Sequence, residues 1–334
     1  TADFLRRERT DPEVVTFLID RNVNYTNFCV TNCLFCAFYR PLGHDEGYVL
    51  SKEEIAAKVG ELAAVGGTRV LLQGGHHPDL GLDWYTDLLS HLSSRFPQIQ
   101  LDAFSPSEID HIARVEDASM ERVLVELTRA GLGGLPGGGA EILDDRIRKR
   151  ISRKKISAER WLEAMEIAQG LGLTTSATMV IGFGETVEQR IAHLAMFRDR
   201  QDRALEAHGN GFTAFISWTF QSENTAWGRI GEKQGWELGA DGEEYLRNVA
   251  VARIYLDCFA NHQASWPTQG REIARRALSF GCNDFGSTMM EENVVSAAGS
   301  RHGALSEMTI LDEIREAGYR PVQRTSNYAL VNPA

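Results

Sequence analysis

The sequence predicts an α/β chain folded as one (β/α)8 barrel of the TIM type. Three observations carry this expectation. Short apolar runs alternate with longer amphipathic ones, eight strand-like runs with helical patterns between them fit within 334 residues, and no Pro- or Ser-rich linker divides them. Strand-like runs fall at 14–23, 69–73, 99–104, 131–135, 174–181, 212–220, 262–266 and 282–285. The last two rest on periodicity alone. Helical patterns fall between them, at 52–64, 83–94, 107–111 with 120–130, 158–170, 186–205, 242–259 and 270–279. Ser51, followed by Glu53 and Glu54, reads as a helix start, and Gly66, Gly131 and Gly172 read as helix stops. The expected organisation is a lead-in over 1–13, helical up to residue 11, a barrel over 14–300, and an extension over 301–334 packed on it. Functional groups are then expected in the loops after each strand, at the C-terminal face.

Composition narrows the function. The formal charge is −11, from 35 Lys and Arg against 46 Asp and Glu, which argues against nucleic acid as the main partner. No stretch approaches the ~20 apolar residues that cross a membrane. Five cysteines are too sparse, and odd in number, for a disulfide framework. No secretory apolar region opens the chain, so a reducing cytoplasm is expected. The start at Thr1 is read as a trimmed initiator segment. Cys258 and Cys282 stand alone and read as small buried side chains.

The other three cysteines carry the strongest signal. Cys29, Cys33 and Cys36 form C-x3-C-x2-C in the loop after the first strand, with Phe35 directly before the third. Three thiolates on one loop can hold three irons of a four-iron, four-sulfur cluster. No fourth cysteine lies nearby, so one iron keeps an open position for a small ligand. Clusters that only carry electrons usually have four protein ligands. A structural zinc site with His44 as fourth ligand is the alternative use of the same residues.

Other strand ends add polar and glycine-rich segments. Gly74 and Gly75 follow the second strand and allow close approach of a ligand to the backbone, or form an ordinary turn. His76 and His77 come next, as candidate bases or as part of a His-Pro turn. After the third strand, Ser105 and Ser107 are candidate hydroxyl donors, with Ser107 favoured as the cap of the next helix. Gly137–Gly139 and Glu141 follow the fourth strand: Glu141 can accept from ribose hydroxyls, and a plain flexible loop is the other reading. A dinucleotide fingerprint fails there for lack of spacing. In 212–220 aromatic and polar residues alternate, so one set points into the barrel. The segment 283–293 is dense in polar groups and reads as a substrate-contacting loop.

The cysteine spacing, Phe35 and the open iron together resemble the radical S-adenosylmethionine (radical SAM) superfamily. The resemblance implies a [4Fe-4S] cluster on Cys29, Cys33 and Cys36, with SAM at its open iron. It places Phe35 near the adenine and the Gly74–Gly75 backbone at the methionine amino group. Residues 179–185 resemble the superfamily segment G-x-I-x-G-x-x-E, whose backbone packs on adenine. Gly182, Gly184 and Glu185 depart from its strict spacing, and Glu185 is also read as an acidic residue at a helix start. Ser105 and Glu141 complete the implied cofactor contacts.

Asn24–Asn27, Cys36–Arg40, Gln73–Asp79, Pro136–Glu141 and Met290–Asn293 are similar to one group within the superfamily. It comprises the futalosine-pathway enzymes of menaquinone biosynthesis and the deazaflavin synthases. Gln73-Gly74-Gly75-His76 and Ser217–Gln221 look most like the branch that cyclises dehypoxanthine futalosine, and less like aminofutalosine synthase. The resemblance implies one-electron reduction of SAM by a low-potential donor such as flavodoxin or ferredoxin. A 5′-deoxyadenosyl radical then takes a ribose hydrogen, the substrate closes onto its own benzoate ring, and a base removes a proton. His76, Asp284, His77 and Glu223 are the candidate bases. A closed barrel suits so reactive a radical. An iron–sulfur redox-sensing protein is the non-enzymatic alternative, and it predicts a fourth cluster ligand and no SAM.

Overall fold

Residues 1–331 are described by a computed structural model of the chain. After α1 (Ala2–Arg9), the first apolar run is divided at Ile19 into β1 (Val14–Leu18) and β2 (Asp20–Val23). Then follow α2 (Lys52–Ala64), β3 (Arg69–Leu72), α3 (Leu82–Arg95), β4 (Gln100–Ala103), α4 (Pro106–Val115), α5 (Met120–Arg129) and β5 (Gly134–Leu135). The middle of the chain gives α6 (Asp145–Ile151), α7 (Ala158–Gly170), β6 (Thr174–Ile181), α8 (Val187–His208), β7 (Phe212–Thr219) and α9 (Ala226–Gln234). Last come α10 (Gly242–Tyr255), β8 (Asn261–Gln263), α11 (Trp266–Ala277), β9 (Asp284–Ser287), α12 (Val294–Ala297), α13 (Glu307–Glu316) and β10 (Arg320–Gln323).

The strands form one parallel sheet in the order β10-β1-β9-β8-β7-β6-β5-β4-β3-β2. β1 pairs with β9 and β10, while β2 pairs with β3. Because β1 and β2 are successive halves of one run, that run bridges β9 and β3 and closes the barrel. Side-chain alternation sorts the faces. In β6, Ala177, Met179 and Ile181 are fully buried, and Ser176, Thr178 and Val180 line a central cavity. The helices start on sequence-local caps. Ser51 and Glu54 form a reciprocal capping box at α2, as do Thr186 and Gln189 at α8. Gly209 ends α8 in the left-handed region.

Several elements differ from the sequence expectation. The run 131–135 shrinks to two strand residues, since Gly131 adopts φ 115° in the turn after α5. α11 begins at Trp266 rather than residue 270, and Gly270 (φ 80°) marks a kink inside it. Ser105 caps α4 through the Glu108 amide, with Pro106 in the first turn, so the cap is not Ser107. α6, α9, α12, α13 and β10 were not expected. α6 is a basic run with little apolar stripe, and β10 is held by long-range pairing of Val14 with Arg320.

β10 lies beside β1 at the N-terminal end of the barrel, and the chain after it enters the interior. Arg324 is buried and donates through Nη2 to Asp284 Oδ1 at 3.0 Å and through Nε to Oδ2. Thr16 Oγ1 donates to the same carboxylate at 2.6 Å. Ser326 Oγ donates to Asp102 Oδ2 at 2.8 Å, and the Arg324 guanidinium stacks 3.8 Å from the Tyr328 ring centroid. This closes the floor. It also corrects the placement of Asp284 at the barrel mouth: β9 begins at Asp284, so the residue sits at the floor end of its strand.

Breaking a buried ion pair from one side leaves an uncompensated charge, which costs about 3–5 kcal/mol. Arg324→Ala should therefore lower unfolding free energy in urea by about that amount, and Asp284→Asn added to it should recover part of the loss. A loss under about 1 kcal/mol would show that the pair does not hold the floor.

Candidate active site

The cysteine loop leaves the barrel after β2 and has almost no regular structure, so its shape depends on named hydrogen bonds. Thr26 Oγ1 donates to the Tyr48 carbonyl at 2.6 Å, and Asn27 bridges to Glu46 and Tyr48. The Cys29 amide donates to the Arg40 carbonyl, the Val30 amide to the His76 carbonyl, and the Leu34 amide to the Ile151 carbonyl. The loop is thus tied to the end of β3 on one side and to α6 on the other.

The thiols meet hydroxyls. Cys29 Sγ lies 2.7 Å from Thr31 Oγ1, and Cys33 Sγ lies 3.0 Å from Ser152 Oγ. Burial, with Cys33 beside it, pushes the Cys36 thiol up to about 11. Among the described residues no three His, Cys, Asp or Glu side chains gather about one metal-ion position. A four-iron cluster needs no such point, because each thiolate binds a different iron. His44 Nδ1 accepts from the Glu46 amide and is tied into its own turn. The donor set therefore fits a cluster: three soft thiols on one loop, with Lys155 and Arg148 within electrostatic reach of Cys33.

Phe35 and Cys36 border a barrel cavity of about 310 Å³. Its walls come from alternate strand residues: Arg69, Leu71 and Gln73 around β3, and Ile216, Trp218 and Phe220 around β7. The upper walls are aromatic, with the Phe35 and Phe183 ring centroids 5.4 Å apart. Asn22, Arg69, Ser176 and Gln263 give a polar lower part. Asn22 Oδ1 and Arg69 Nε have no hydrogen-bond partner among the described residues.

A match to the radical SAM superfamily covers residues 23–197, which include the cysteine loop, and a match described as the CofH/MqnC C-terminal region covers 209–333. The chain belongs to the radical SAM superfamily. It is 52% identical over 318 residues to a cyclic dehypoxanthine futalosine synthase of Halalkalibacterium halodurans, covering 95% of this chain and 82% of that protein. A Streptomyces coelicolor protein of the same name is 43% identical, over 98% of this chain and 79% of its own. A 5-amino-6-(D-ribitylamino)uracil–L-tyrosine 4-hydroxyphenyl transferase of Microcystis aeruginosa is 40% identical, over 91% and 81%. The crystal structure of a methylornithine synthase superposes with a TM-score of 0.72 at 17% identity, over 96% of this chain and 87% of that one, which shows the shared fold. Membership makes the chain an enzyme of a superfamily whose members use a four-iron cluster and SAM. No helix among the described residues is long and apolar enough to cross a membrane.

The cofactor contacts expected from sequence, with Glu223, fall in three places of the radical SAM barrel. Phe35 and Glu141 border the central cavity, where Glu141 pairs with Lys155 at 2.7 Å and Arg148 at 3.6 Å. Gly182, Gly184, Glu185 and Glu223 border an adjoining outer cleft. Glu185 accepts from the Gly182 and Phe183 amides and from Arg190, so it shapes that loop, while Thr186 caps the helix. Gly74, Gly75 and Ser105 lie at the third place, around buried Glu108. The Gly74 amide donates to Glu108 at 3.0 Å, and the Gly75 amide to the Thr26 carbonyl at 2.9 Å. A Cβ on Gly75 would overlap the Phe28 carbonyl, so glycine lets β3 end against the cysteine loop.

None of the four candidate bases borders the central cavity. Asp284 is held by Arg324 at the floor. His76 stacks on His111 at 4.9 Å, in a separate outer cleft, and burial keeps its ring well below the usual histidine range. His77 Nδ1 accepts from the Asp79 amide inside the turn. Glu223 is exposed. A residue's position after a strand does not tell which side of the loop its side chain takes. The groups missed were Asn22, Arg69 and Gln263. Each is a polar residue at an inward register of a barrel strand, and period-two alternation starting from Leu71 and Gln73 would have found Arg69.

Glu108 was missed as well. Tyr25 Oη donates to it at 2.8 Å and Ser105 Oγ lies at 2.6 Å, yet burial pushes the carboxyl up to about 7. Its folded value is above the ordinary 4.5, so the protonated form is the one the fold prefers. Its contribution is complete below pH 4.5 and is lost as pH rises through about 7, by up to about 3 kcal/mol. Unfolding free energy followed from pH 5 to 8 should fall more steeply for the wild type than for Glu108→Gln; equal slopes would count against the shift. Gly75→Ala should displace the cysteine loop and leave reconstituted protein with well under the about four irons of one cluster. Wild-type iron content in that variant would show the close approach to be dispensable.

Proposed function

We propose that the chain is a radical SAM cyclase that converts dehypoxanthine futalosine to cyclic dehypoxanthine futalosine in menaquinone biosynthesis. The observation that carries this reading is the 52% identity to a synthase of that name over 95% of the chain. The cavity supports it. Trp218, Phe220 and Phe35 offer faces for a benzoate ring, and Asn22, Gln263 and Ser176 offer partners for a sugar.

In this reading Cys29, Cys33 and Cys36 would hold the cluster beside bound SAM, and the two groups would supply the one-electron chemistry that takes a hydrogen atom from the ribose. The chain's own residues position and shield. Phe35 and Phe183 wall the rim, Glu185 holds the Gly182–Phe183 backbone in place, and Glu141 accepts from hydroxyls of the bound ligand. The plug of Arg324, Ser326 and Tyr328 keeps water from the floor. The proton acceptor belongs among carboxylates that border the cavity, Glu141 and Glu292. Glu292 accepts from the Val294, Val295 and Ser296 amides and Glu141 is paired with Lys155 and Arg148, so their contacts do not rank one above the other.

Anaerobically reconstituted protein, given SAM, reductant and dehypoxanthine futalosine, should form the cyclic product and free 5′-deoxyadenosine. Mass spectrometry checks this directly. An adenosylated product formed from enolpyruvyl benzoate would assign the sister reaction instead. Cys33→Ala should abolish SAM cleavage, and iron near eight per chain would overturn the single cluster.

A further inference from the structure

The segment 146–155 carries seven cations in ten residues: Arg146, Arg148, Lys149, Arg150, Arg153, Lys154 and Lys155. The chain as a whole has a charge of −11, so this concentration is local and opposite in sign. The structure sorts the seven. Arg148 and Lys155 turn inward, to the Ala140 and Ile156 carbonyls and to Glu141. Arg146 pairs with Asp144 at 3.2 Å. Lys149, Arg150, Arg153 and Lys154 are exposed and make no ion pair among the described residues.

The same segment is bonded to the cysteine loop. Ile151 accepts from the Leu34 amide at 2.8 Å, Ser152 Oγ meets Cys33 Sγ, and Lys154 Nζ donates to the Val30 carbonyl at 2.8 Å. The Arg150 guanidinium lies 5.3 Å from the ring centroids of both Trp227 and Trp236. The Trp227 amide donates to the Leu34 carbonyl at 2.7 Å, and Trp236 is 41% exposed. An exposed tryptophan therefore stands against one of these cations and against a second tryptophan that is bonded to the loop carrying the thiols. Tryptophan and arginine are the residue types that anchor protein interfaces.

We infer that the outward face of 146–155, with Trp236, is the docking surface for an acidic electron-donor protein. This rests on the proposed cluster, because the cluster must receive an electron from outside. The step is simple: a reduced flavoprotein gives one electron and is oxidised by one, the cluster is reduced by one, and no bond forms or breaks. The basic face attracts an acidic donor while the rest of the surface repels it, which orients the encounter. A small contact suffices, since redox partners bind over less than about 1,200 Å².

The test compares two reductants on cluster-loaded protein, an acidic bacterial flavodoxin in its fully reduced form and dithionite. With Lys149→Glu/Arg153→Glu, flavodoxin-driven turnover should fall about tenfold at low ionic strength, and the gap should close above about 0.5 M salt. Dithionite-driven turnover should be unchanged. Flavin fluorescence, which reads binding without turnover, should show Kd for flavodoxin weakened by a similar factor. Lys149→Gln/Arg153→Gln should fall between wild type and reversal, which guards against misfolding of the reversal. An unchanged flavodoxin-driven rate would overturn the inference. Equal losses with both reductants would also overturn it and assign these residues to holding the loop. An RNA oligonucleotide bound in preference to flavodoxin at 0.15 M salt would overturn it in favour of a nucleic acid. Failure of dithionite to drive turnover in fully loaded wild type would instead strike the proposed function.

Discussion

Arg324 and Asp284 meet inside the barrel, where neither would be tolerated alone. Their pairing joins the last stretch of chain to β9, and β9 to β1 through Thr16. A guanidinium placed there loses most of its water, and the two-point contact with one carboxylate offsets that loss. The stacked Tyr328 ring covers what remains. The seal of the floor depends on this contact, while the sheet itself closes through the pairing of β1 with β9 and of β2 with β3.

At the other end the governing constraint is close approach. The cysteine loop has no ladder of its own, so it borrows rigidity from β3 and from α6. Gly75 permits the first contact and the Ser152–Cys33 pair marks the second. Glu108 organises the base of this region by gathering Tyr25, Gly74 and Ser105 about one buried carboxyl. Three segments distant in sequence are thereby fixed relative to the thiols, which is what a site handling a short-lived radical needs.

The cysteine motif was legible because all its information lies within eight residues. So was the inward set of β7, since alternation is a local property and places Ile216, Trp218 and Phe220 on one side. Asp284 was misread because a short strand with weak periodicity was placed two residues early, which moved a floor residue to the mouth. His76 and His77 fall away from the central cavity for a different reason: a turn after a strand has two sides, and spacing does not choose between them. Glu108 and Arg324 could not be read at all. Their environments come from residues up to some 80 and 300 positions away in the chain, and no local pattern reports them.

A vessel sealed at its base is filled from above. With residues 324–328 at the floor, Phe35, Cys36 and Phe183 border the central cavity together with the segments 137–139 and 292–298. A thiol-bearing loop and an aromatic wall therefore meet over one deep compartment, so whatever binds beside Cys36 also narrows the space above what lies beneath it.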